Sequence, residues 1–99
     1  MPHFFLRLIP PRPTFATDMN EAERQAMSAH AEYLTSLAEK GVGVAFGPVF
    51  DPKGAWGMGI LEVEDEAAAR ALTEKDPVVI AGVGRYEIMP MRLGIVRKS

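Results

Sequence analysis

The apolar positions change period along the chain, and the changes mark out six elements. Phe4 to Ile9 is a nearly continuous apolar run broken only by Arg7. Phe4, Leu6 and Leu8 fall on one face of a strand, and Phe5, Arg7 and Ile9 on the other, so both faces are expected to be covered. From Asp18 to Gly41 the period lengthens. Met27, Leu34 and Leu37 recur at helical spacing with Ala31 and Ala38 beside them, and His30 lies within the same stripe. Thr17 or Asp18 is the expected N-cap, with Glu21 completing an acidic capping box on Asp18. Gly41 is the expected residue just past the C-terminus. Val42 to Val49 reads as a second strand, with Val44 and Phe46 on one face and Gly43, Ala45 and Gly47 on the other. Asp51-Pro52-Lys53-Gly54 suits a type I turn, and Trp56 to Val63 is the return strand of a hairpin.

Glu64-Asp65-Glu66 opens a second helix that runs through alanine-rich Ala67 to Leu72 and ends near Lys75. Asp76 and Pro77 suit the N-cap and first position of a further short helical turn. Tyr86 to Met89 is the last strand, followed by Pro90. Met91 to Val96 is apolar and would form another strand or an arm reaching a partner chain. The order strand, helix, strand, strand, helix, strand is the ferredoxin-like βαββαβ plan of the α+β class, an antiparallel sheet with two helices on one face. Its open face would draw two copies together.

The composition narrows the field of functions. The 99 residues make one domain, 1–99, with 47% apolar and 24% charged residues, and a thin core favours dimers. A net charge of -2 without a basic patch argues against nucleic acid as a partner. The absence of cysteine excludes disulfides and thiolate metal sites, and is compatible with the cytoplasm. No apolar run approaches a membrane span, and no signal peptide is read at the N-terminus. His3 would suggest an N-terminal copper site, but Pro2 lacks the amide proton that such a site must lose.

Candidate chemistry centres on His30. An imidazole on an apolar helix face needs a hydrogen-bond partner. It is then either a satisfied core residue or an acid–base group. Pro10-Pro11-Arg12-Pro13 reads as a stiff connector. Arg12 is either a solvated charge or an anion clamp at a pocket mouth, and Phe15 covers the helix or lines the same mouth. Gly57 and Gly59 share a strand face, with Gly43, Ala45 and Gly47 on the neighbouring strand. Such smoothness serves close helix packing or a concavity for a small ligand.

Taken together, His30 on the first helix, Phe46-Gly47-Pro48 ending the second strand, and Asp76-Pro77 followed by Ala81-Gly82-Val83 resemble the YciI-like (YCII-related) family over nearly the whole chain. The resemblance implies a ferredoxin-like fold, a dimeric α/β barrel, and a His–Asp centre falling on His30 and Asp76. Most members have no assigned reaction. One relative is similar to an enzyme that removes chloride from a chlorinated hydroxyhydroquinone. The proline-rich stretch before Phe15 is longer here than in shorter members.

The expectation is therefore a cytoplasmic homodimer acting on a small polar metabolite, aromatic ones included. His30 and Asp76 would perform general acid–base chemistry of the lyase or isomerase type, with Arg12 and Phe15 binding the substrate. No cofactor and no metal is called for, since one His with one or two carboxylates is a poor ligand set. The alternative is a noncatalytic dimeric ligand-binding or accessory module. A cofactor-free oxygenase rests on fold analogy alone.

Overall fold

Four strands form the sheet, burial alternating residue by residue in the first of them, and the face they bury is covered by helices. The computed structural model describes residues 1–98. The elements are β1 (His3–Ile9), α1 (Phe15–Asp18), α2 (Glu21–Glu39), β2 (Gly43–Val49), β3 (Trp56–Glu62), α3 (Glu66–Glu74), α4 (Pro77–Ile80) and β4 (Arg85–Met91). The sheet order is β2-β3-β1-β4, and every neighbouring pair is antiparallel. This is the expected ferredoxin-like α+β architecture. Phe4, Leu6, Leu37, Leu61, Val63 and Ala69 form the core between the sheet and its helices.

The main helix begins later than expected. Asn20, not Thr17 or Asp18, is its N-cap. The Asn20 side chain accepts from the Glu23 amide at 2.8 Å, and Glu23 accepts from the Asn20 amide at 2.9 Å, a reciprocal capping box. Asp18 instead ends the separate one-turn helix α1. At the other end Gly41 behaves as expected, with φ of 79°. Its amide bonds Ala38 and that of Val42 bonds Leu37, the paired bonds of a Schellman motif.

The face assignment of β2 is corrected by a bulge. Gly43 pairs with Leu61 and Phe46 with Gly59, the register shifting between Gly43 and Ala45. The extra residue turns Gly43 and Phe46 toward the helices and leaves Val44 exposed. The glycines are thereby explained: the Phe46 ring lies across both Gly43 and Gly59. A methyl group added at Gly59 would meet Phe46 Cδ1 at 2.7 Å and Cε1 at 3.0 Å. The hairpin turn is as expected, Gly54 N–H donating to the Asp51 carbonyl at 2.9 Å. Pro90 lies within β4 rather than after it. An edge strand tolerates the missing donor. Residues 92–98 form no further strand, and Ile95 is 98% exposed.

Gly59→Ala should therefore destabilise the fold by about 1–3 kcal/mol, the usual cost of overpacking. Gly47→Ala, where nothing lies within 4 Å of the added methyl, should be much milder. Urea denaturation of the two variants checks the difference.

Candidate functional site

Helix α2 presents two adjacent stripes rather than one. Ala26, His30 and Leu37 are buried, with Tyr33 packed against the core beside them. Met27, Ala31, Leu34 and Ala38 line a cavity of about 660 Å³ between α2 and the sheet. His30 belongs to both sets: it is 8% exposed, yet it borders the cavity. The expected apolar stripe thus divides into a packed half and a cavity-lining half.

Asp76 is held at the start of α4, where Asp and Pro perform the expected structural roles. Its Oδ1 accepts from the Val78 amide at 3.0 Å, and Pro77 occupies the first turn. The other oxygen, Oδ2, lies 2.7 Å from His30 Nδ1. With the carboxylate ionised, Oδ2 can only accept, which puts the proton on Nδ1 and leaves Nε2 as the basic nitrogen. Nε2 has no protein hydrogen-bond partner among the described residues and is not among the buried unpaired atoms, which leaves it open to the cavity.

Tyr86 joins the pair and was not singled out from the sequence. Its hydroxyl donates to the same Oδ2 at 2.7 Å. Burial first, and the Asp76 carboxylate second, push the phenol far above its ordinary range, so it remains a donor. Tyr33 is raised for the same two reasons, but its hydroxyl donates to the Leu72 carbonyl at 2.6 Å instead. The available signal for Tyr86 was strand alternation, which puts Tyr86, Ile88 and Pro90 on the helix-facing side, opposite Leu8, Leu6 and Phe4.

Arg12 and Phe15 separate. Phe15 is buried and lines the cavity. Arg12, read from the sequence as either a solvated charge or an anion clamp, is not among the residues that line it. Its Nε donates to Asp18 Oδ1 and one terminal nitrogen to Glu23 Oε2, both at 2.8 Å. The other terminal nitrogen donates to Glu23 Oε1 at 2.8 Å and to the Asp18 carbonyl at 2.9 Å. The guanidinium is a clasp that fixes α1 against the start of α2, with its carbon 5.5 Å from the Phe15 ring centre. Hydrogen bonds from Arg12 and then from the Asn20 amide hold the Glu23 carboxyl down to about 2. Thr14 and then Arg12 lower Asp18 as well.

No Lys, Arg, Asp or Glu lines the cavity among the described residues. The remaining walls come from Pro10 and Pro11, Phe46, Trp56, Gly57 and Gly59. The glycine-rich sheet face therefore does serve a concavity, closed on one side by Phe46. Among the described residues no group of three or more His, Asp or Glu side chains could hold a metal ion.

The family model for the YCII-related domain matches residues 3–92. The chain belongs to the YCII-related family. This YCII-related domain is similar in structure to the 5-chloro-2-hydroxyhydroquinone dehydrochlorinase of Burkholderia phenoliruptrix AC1100, solved in complex with 2,5-dihydroxybenzoquinone. The two superpose with a TM-score of 0.66 at 23% identity, covering 92% of this chain and 95% of that one. At that identity the likeness supports the shared fold. No match is found among curated protein sequences. No helix among the described residues is long and apolar enough to cross a membrane.

The clasp has a pH signature. A depressed folded-state Glu23 contributes stability that is complete above its unfolded value, near 4.5, and is lost as pH falls toward about 2. Urea midpoints measured between those limits should fall more steeply for wild type than for Glu23→Gln, which lacks the titrating group.

Proposed function

We propose that this YCII-related protein is a cofactor-independent enzyme in which His30 performs general acid–base chemistry on a small, uncharged, ring-sized polar metabolite. One observation carries the reading: a buried His–Asp pair whose free imidazole nitrogen borders a cavity of about 660 Å³. Neutral imidazole is suited to proton abstraction near physiological pH. Nε2 takes a proton from a substrate carbon or hydroxyl, and Asp76 balances the imidazolium so formed. In a lyase step the electron pair released at carbon forms a double bond as a neighbouring leaving group departs with its own pair. In an isomerase step the imidazolium returns the proton to a different atom of the same molecule.

The cavity walls support an uncharged ligand. Phe15, Phe46 and Met27 offer apolar and aromatic surface, while among the described residues no fixed charge is available to pair with a carboxylate or phosphate. The similar dehydrochlorinase, solved with a dihydroxybenzoquinone, supports hydroxylated rings as the first compounds to try.

A noncatalytic binding module is the second reading. It is favoured by the commitment of Arg12 to Asp18 and Glu23 and by the scarcity of polar groups in the cavity, where among the described residues His30 is the one ionisable side chain with a polar atom left unbonded.

We also propose a homodimer through the outer sheet face. Phe5, Ile9, Trp56, Met58 and Ile60 are half-buried there in the single chain, and Met89 is exposed. The Arg7 guanidinium lies 4.6 Å from the Trp56 ring centre on this face. Light scattering should give twice the 10.8 kDa chain mass, and Ile60→Lys should give the single chain mass while keeping the fold.

The enzyme reading is checked with a panel of hydroquinones and hydroxybenzoquinones in deuterated buffer. Wild type should raise its melting temperature with at least one of them and catalyse deuterium incorporation or loss of a ring substituent. His30→Gln should retain the melting shift and lose the exchange rate by about 10²–10⁴-fold, the usual contribution of general acid–base catalysis. Binding by both proteins with no exchange or turnover in either would favour the binding module.

A further inference from the structure

The acid–base reading uses His30 and Asp76 but assigns nothing to the third member of their network. Asp76 is 1% exposed, and no Lys or Arg forms an ion pair with it among the described residues. Its charge is held by three donors from three elements: the His30 ring on α2, the Val78 amide in α4 and the Tyr86 hydroxyl on β4. Two of the three converge on one oxygen, Oδ2.

We infer that Tyr86 is a positioning residue of this site, whose hydroxyl keeps the buried Asp76 carboxylate ionised and aims Oδ2 at His30, so that the exchangeable proton is handled at Nε2 rather than stored on the carboxylate. A buried carboxylate lacking enough donors takes up a proton instead of staying charged. The Val78 amide alone satisfies Oδ1, so the hydroxyl is the donor that shares Oδ2 with the imidazole. The shared bond also draws negative charge away from the His30 side, which limits how strongly the pair attracts a proton. Other neighbours do not duplicate this function. Tyr33, one turn further along α2, spends its hydroxyl on the Leu72 carbonyl. Thr73 spends its hydroxyl on the Arg70 carbonyl. Among the described residues the cavity side brings no Lys, Arg, Asp or Glu, and His30 and Tyr86 are its ionisable side chains.

The inference rests on His30 being the acid–base group, but its test uses the free protein and no substrate. The chain has two histidines and two tyrosines, so imidazole resonances can be followed by NMR from pH 4 to 9 with little overlap. Because His30 and Asp76 are coupled, the quantity read is the pH at which the pair takes up its first proton. Tyr86→Phe should move that midpoint to higher pH, because the carboxylate loses a competing donor. Tyr33→Phe, which removes a part-buried hydroxyl bond that does not touch Asp76, should leave it where wild type has it. In the Tyr33→Phe background, 3-fluorotyrosine labels Tyr86 alone and makes it a stronger donor. That protein should move the midpoint to lower pH, with the fluorine resonance tracking the same transition.

An unchanged midpoint in Tyr86→Phe overturns the inference, as does an equal shift in Tyr33→Phe. If Tyr86→Phe does not fold, the fluorotyrosine protein decides, and an unchanged midpoint there overturns it. A shift in the expected direction supports the role of Tyr86 even if no compound in the substrate panel reacts, which would count against the enzyme reading alone.

Discussion

A carboxyl group buried, among the described residues, without a Lys or Arg partner is the constraint around which the fold closes. Asp76 is almost fully enclosed, and three hydrogen bonds from α2, α4 and β4 stand in for the water it has lost. The three bonds span very different distances along the chain: Val78 is two residues from Asp76, Tyr86 ten and His30 46. Breaking a buried pair by removing one partner typically costs about 3–5 kcal/mol, because the other partner is left uncompensated. The same carboxylate caps α4, which brings Val78 into the core and turns the chain toward β4. Structure and candidate chemistry therefore share one residue, and the fold cannot relax around Asp76 without also disturbing His30.

The cavity beside the pair arises from a different economy of space. A bulge in β2 turns Phe46 inward, and Gly43 and Gly59 make room for its ring. Gly57 and Gly59 keep the adjacent sheet surface low, while the small side chains Ala31 and Ala38 keep the facing helix surface low. Phe15 closes the site from α1, which Arg12 clasps to the start of α2. His30 sits where the packed stripe of α2 meets the cavity-lining stripe. That boundary position accounts for a ring that is buried and hydrogen-bonded on one nitrogen and available on the other.

The parts of this arrangement that were legible in the sequence are those fixed by local chemistry or strong periodicity. The main helix, its glycine terminus, the hairpin turn and the Asp76-Pro77 cap depend on residues within a few positions of one another. The βαββαβ order then follows from the element sequence. Pairing His30 with Asp76 came from family resemblance, since nothing in spacing joins them. What was not legible depends on competition between near-equal local options or on contacts across elements. Asn20 caps the helix with Glu23 returning the bond, whereas Asp18, with Glu21 equally placed, has its carboxylate taken by Arg12 and Thr14. The β2 bulge leaves no mark in a run of small and apolar residues, yet it inverts which side chains face inward. Arg12 has a long side chain with two carboxylates in reach, and only the coordinates show that both hold it. Tyr86 looked like an ordinary strand aromatic until β4 was seen beside α4.

The central claim is that His30 presents Nε2 to the cavity because Asp76 holds the proton on Nδ1. Nitrogen-15 spectra of the imidazole side chains, above the pH at which the pair is protonated, read that tautomer directly, with His3 as the internal reference. The account predicts a neutral His30 protonated at Nδ1 in wild type, and a loss of that preference in Asp76→Asn or Asp76→Ala. A His30 protonated at Nε2 in wild type, or a tautomer indifferent to the replacement of Asp76, would contradict it.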